Sequence, residues 1–137
     1  MKKILIISDS LALPRPKPEI CEYKDTWPKL LSSTGEFEIH QVSIGGATSK
    51  DLLKQVNYHK MFNPDIVVIQ VGIVDCVPRF MSRLELDISY SLGKYGKKLR
   101  AFCNKKYIRK IRNVTYVNKR DFKSNLRNIN FILILKS

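Results

Sequence analysis

Apolar positions fall along this chain in short blocks whose spacing alternates between two kinds. Lys3–Ser8 is a compact apolar run closed by Ser-Asp-Ser, and it reads as a buried strand. Leu13-Pro-Arg-Pro-Lys-Pro follows, where three alternating prolines exclude regular structure and leave a stiff extended loop. Thr26-Trp-Pro offers a cap residue with proline in the first turn, so a short helix is predicted there. Phe37–Ser43 alternates as a second strand, with Phe37, Ile39 and Gln41 on one face and Glu38, His40 and Val42 on the other. Gly45-Gly46 breaks that pattern.

Thr48 and Asp51 resemble a capping box that opens a helix through about Met61, with Leu52, Leu53 and Val56 inward. Asn63-Pro64-Asp65 stops it. Ile66–Val71 is the strongest strand, apolar except for Gln70. Residues 80–117 are rich in charge and helical only in places. Asn118 and Asp121 form a second cap-like pair before a helix over Phe122–Ile129, and Asn130–Leu135 reads as a final strand. Strands alternating with helices predict a parallel sheet covered on both faces. The expected fold is therefore a flavodoxin-like, three-layer α/β/α domain with a sheet of about four strands.

Length is consistent with a single domain over residues 1–137, carrying a basic insertion at about 80–117. The net charge of +13 is unevenly spread. Lys94 to Arg127 holds thirteen Lys or Arg and one acid, Asp121, while residues 1–93 are close to balanced. Cys21, Cys76 and Cys103 are odd in number and widely spaced, which points away from a disulfide framework or a structural zinc site. Idle or buried thiols in a reducing compartment are expected. Two lysines precede the apolar Ile4–Ile7, but Asp9 cuts the run short of a signal sequence. With no transmembrane segment in the sequence, a cytoplasmic location is the expectation.

If the strands are parallel, three turns share one sheet edge: Asp9-Ser10, Gly45-Gly46 and Gly72–Asp75. A serine hydroxyl, a glycine amide and an acidic loop can meet there without being close in sequence. That is the raw material of acyl transfer, a nucleophile with backbone N–H donors for the oxyanion.

Ile6-Ile7-Ser8-Asp9-Ser10-Leu11-Ala12 resembles the first block of the SGNH/GDSL hydrolases, Gly-Asp-Ser-Leu. Ser43-Ile-Gly-Gly-Ala-Thr48 is similar to their second block, and Val67–Gly72 with Ile73-Val74-Asp75 to their third, Gly-x-Asn-Asp. Leu13-Pro-Arg, Thr26-Trp-Pro and Cys76-Val-Pro-Arg also look like SGNH proteins found beside bacterial surface-polysaccharide genes. The resemblance implies a serine esterase acting on a small-molecule or glycan ester, with no cofactor and no metal. Ser10 would be the nucleophile, with its own N–H and that of Gly46 as oxyanion donors; apart from the resemblance, Asp75 and Arg79 are candidate substrate contacts.

Two departures accompany that resemblance. Val74 replaces the asparagine that supplies a side-chain donor, and Ser8 replaces the first glycine. The family's Asp-x-x-His block, which supplies the base, has no counterpart, because His40 and His59 sit in no such motif. The expectation is a C-terminally truncated domain, with Phe131–Leu135 as an apolar edge strand open to self-association. Each residue also has a plain structural role open to it: Ser10 as a helix cap, Gly46 as a turn residue, Asp75 and Arg79 as a surface ion pair, Trp27 as core or lid. The competing function is a non-catalytic module whose 94–127 segment binds polyanions: acidic glycan, nucleic acid or anionic membrane.

Overall fold

A computed structural model describes residues 1–134. Its sheet has three strands, β1 (Lys2–Ser8), β2 (Phe37–Ser43) and β3 (Ile66–Gln70), in the order β2-β1-β3 and all parallel. β1 is central and is the one described strand buried on both faces; Ile4, Leu5, Ile6 and Ile7 are all buried. Ser8 lies level with Ser43 on one side and with Gln70 on the other, so the three strands end together.

Among the described residues there are seven α-helices: α1 (Trp27–Ser33), α2 (Ser49–His59), α3 (Ile73–Cys76), α4 (Arg83–Ser91), α5 (Gly93–Cys103), α6 (Lys106–Arg112) and α7 (Lys119–Ile134). Leu5, Ile7 and Val42 meet Ala47, Leu52 and Val56 of the α2 region and Ile129 of α7 in one core cluster. Burying each of the Leu, Ile and Val side chains contributes roughly 1.5–3 kcal/mol. The opposite face of β2 turns to α1 and the loop after β1, where Gln41 Nε2 donates to the Ala12 carbonyl at 3.0 Å. The flavodoxin-like α/β architecture holds.

The predicted caps form as the spacing implies. Thr48 N–H and hydroxyl both donate to Asp51 Oδ2, and Asp121 N–H donates to Asn118 Oδ1 at 2.8 Å. Burial pushes the Asp51 carboxyl up, but the hydrogen bonds from Thr48 and Arg83 outweigh it and hold Asp51 below its ordinary value.

One expectation fails. Asn130–Ile134 continues α7 and is not a fourth strand, and Leu135 lies outside the described residues. Nothing between Ile129 and Phe131 breaks a helix, and Phe122, Leu126 and Ile129 already keep helical spacing on one face. The open apolar edge expected at Phe131–Leu135 is thus absent from residues 131–134. Among the described residues the free edges belong to β2 and β3, and Ile66 and Ile69 of β3 are partly exposed.

Candidate active site at the carboxyl ends of the strands

β1 ends on a buried Ser8 whose hydroxyl meets Ser43 Oγ at 2.7 Å and donates to the Asp9 carbonyl at 3.1 Å. A serine in place of glycine is therefore accommodated by a polar partner on β2. Asp9 is buried next; its N–H continues the ladder to the Gln70 carbonyl, and its Oδ1 accepts from Leu11 N–H at 3.0 Å. That cap starts a single 3₁₀ turn at Ser10–Ala12 and turns Ser10 outward into solvent. Asp9, rather than Ser10, is the capping residue.

The Ser10 hydroxyl and the Ser10 N–H have no hydrogen-bond partner among the described residues. The Gly46 N–H is likewise unbonded, while the neighbouring Ala47 N–H closes the turn onto the Ile44 carbonyl. Gly46 has φ 71°, a conformation glycine adopts without a Cβ penalty, and its amide stays exposed. The two turns leave neighbouring strands at the same end. Ile44 N–H bonds the Ser8 carbonyl, and a Cβ on Gly45 would just touch Leu13 Cδ1.

The third loop takes a different role from the one expected. Asp75 is fully buried, and its carboxylate accepts from Ser49 N–H at 2.9 and 3.1 Å and from Ser49 Oγ at 2.7 Å. Asn125 Nδ2 adds a bond to the same hydroxyl at 2.9 Å. Asp75 thus faces the first turn of α2, where a carboxylate also suits the helix dipole, and it is spent on that contact instead of facing solvent. It pairs with Ser49, not with Arg79. Val74 is buried beside it and donates nothing.

Arg79 bonds backbone to backbone with Val114, and its guanidinium lies 5.2 Å from the Tyr116 ring centre. Arg83 lies 5.1 Å from the same ring, and it reaches Gly46 O at 2.8 Å and Asp51 Oδ2 at 2.9 Å. Arg83 was not singled out by the sequence, which offered no signal beyond one basic residue after Ser82. Trp27 neither fills the core nor hangs free as a lid. Its indole N–H donates to Gln70 Oε1 at 3.1 Å, across the end of the sheet.

Neither histidine approaches this edge. His40 lies level with Leu5, three residues before β1 reaches Ser8, or about 10 Å along the strand. His40 Nε2 and His59 Nδ1 stand 2.8 Å apart, and His40 also stacks on Phe62. Burial, with the neighbouring His40, pushes the His59 imidazole below its ordinary value. Among the described residues no group of three His, Cys, Asp or Glu could hold a metal, and no helix is long and apolar enough to cross a membrane.

The sequence matches no family profile and no curated protein. Among solved structures, the lipase/acylhydrolase from Enterococcus faecalis aligns with 96% of this chain and 71% of its own, at a TM-score of 0.45 and 16% identity. The chain's own residues carry the functional reading.

Proposed function

We infer that this chain is a serine ester hydrolase of the SGNH type, with Ser10 as nucleophile and the N–H groups of Ser10 and Gly46 as oxyanion donors. One observation carries this reading. An exposed serine stands at the end of the central strand with its hydroxyl and amide unbonded, beside a glycine turn whose amide is also unbonded. Unpaired donors at a sheet edge are what a developing oxyanion requires. In this reading Oγ attacks the ester carbonyl, the alcohol leaves, and water later releases the acyl group from Ser10. Asp75 is a positioning residue that acts through Ser49 on the helix following Gly46. The sequence resemblance supports an acylated carbohydrate as the substrate class.

His40 and His59 are bonded to each other elsewhere, so the Ser10 proton passes to solvent and turnover is slow. Labelling with a fluorophosphonate probe tests the proposal. Labelling confined to Ser10 and lost in Ser10→Ala, with slow release of p-nitrophenol from p-nitrophenyl acetate, is expected. An unlabelled Ser10 in the folded chain rejects it.

A second reading, a polyanion-binding module, is favoured by one observation. Lys94, Lys97, Lys98, Lys105, Lys106 and Arg109 are all exposed.

A further inference from the structure

The excursion between β3 and α7 folds as a helical hairpin with an unusual outer surface. Gly96 of α5 packs so tightly on Ser89 of α4 that a Cβ there would overlap the Ser89 carbonyl. Arg100 Nη1 donates to Ser89 O at 2.9 Å and to Ser89 Oγ at 3.1 Å. Further along, Glu85 near the start of α4 pairs with Arg112, beyond the end of α5. Arg112, in α6, also has Cys103 at the end of α5 as a hydrogen-bonding neighbour, so α5 ends beside the start of α4 and the two helices pass in opposite directions.

Each helix leaves large apolar side chains uncovered. On α4 and its cap these are Leu84, Ile88 and Leu92; on α5 they are Tyr95, Leu99 and Phe102. Both sets recur at three- and four-residue steps, so each is a stripe. At about 100° per residue, each stripe lies roughly 100° from its helix's contact line, in the same rotational sense. Because the helices run in opposite directions, both stripes come to one side of the hairpin. On α4 the exposed Asp87 stands beside Ile88, but from Leu92 onward the flanking charge is all of one sign. No acid occurs between Asp87 and Asp121. Lys98 borders the α5 stripe, Lys94 lies a step further round the same side, and Lys105 Nζ stands 5.5 Å over the Phe102 ring.

We propose that this face of the α4–α5 hairpin docks on the surface of an anionic phospholipid bilayer. Aliphatic and aromatic side chains would sink to the acyl boundary while the lysines meet acidic headgroups, the arrangement of interfacial helices. A second copy of the chain is a poor occupant, since pairing this face with itself would bring the lysines together. A nucleic acid would answer the lysines but would give Leu84, Ile88, Leu92 and Leu99 nothing apolar to cover them. The proposal does not depend on Ser10 chemistry.

Co-sedimentation of the full chain with phosphatidylcholine vesicles, with and without phosphatidylglycerol, tests it. Binding should require phosphatidylglycerol and weaken with added salt. The double variant Lys98→Glu/Lys105→Glu should lose more than about tenfold in affinity, and Leu99→Ser/Phe102→Ser about as much. All four side chains are exposed, so both variants should keep the parent's circular dichroism and melting temperature. Ser10→Ala should bind like the parent, which separates docking from hydrolysis. Failure to bind phosphatidylglycerol vesicles overturns the proposal, and so does equal binding to phosphatidylcholine alone. So too does a DNA duplex bound as tightly as the vesicles with an affinity that survives Leu99→Ser/Phe102→Ser.

Discussion

Asp75 and Ser49 are joined by three hydrogen bonds inside the protein, and through them α3 is fastened to the first turn of α2. Asp75→Ala would leave the Ser49 amide and one hydroxyl bond buried without an acceptor. A loss of about 2–4 kcal/mol is expected in urea unfolding. Asp75→Asn, which keeps one acceptor oxygen, should lose less. Equal losses would mean that the carboxylate charge, and not the hydrogen-bond geometry, matters.

Gly96 gives a second test of packing. An added methyl would meet Ser89 O at 1.6 Å, against backbone that cannot step aside cheaply. Gly96→Ala should cost about 1–3 kcal/mol or more and speed amide exchange in α5 relative to the sheet. Unchanged exchange in α5 would show that the two helices do not meet there.

His59 predicts a pH response. The His59 pKa is lowered in the folded chain, so the unfolded state binds protons more readily. The His59 contribution is fully present above an unfolded value of about 6.5 and is lost as pH falls below it. His59→Gln should flatten the stability profile in that range. Asp51 acts in the same sense at lower pH, its contribution fading as pH drops below the ordinary carboxylate range.

Arg83 is exposed enough that its ion pair with Asp51 should be worth less than about 1 kcal/mol. Its bond to the Gly46 carbonyl should matter more to reactivity. Arg83→Met is expected to melt close to the parent yet label several-fold more slowly at Ser10. Labelling at the parent's rate would show that the Gly46 turn holds its shape unaided.

The sheet was legible because β1 and β3 are short apolar runs bounded by turn residues and β2 alternates. Both cap pairs, Thr48/Asp51 and Asn118/Asp121, were legible because local hydrogen bonding needs only local sequence. The end of α7 was not, since Phe131–Leu135 is apolar throughout and such a run fits a strand or a helix equally well. Ser10 and Gly46 stand where their neighbours in sequence put them. Asp75 could be placed after β3 from sequence, but its partner Ser49 lies 26 residues away, and only folding shows which way the carboxylate turns. Arg83 was hidden for the same reason: its two acceptors are distant in the chain.

One guanidinium has a wider consequence. Arg83 sits at the root of the hairpin and grips the glycine turn by its carbonyl. A pull on the lysine-bordered helices is therefore transmitted to the peptide whose neighbouring amide would hold an oxyanion. Through Arg83 the hairpin and the candidate reaction centre share a strut.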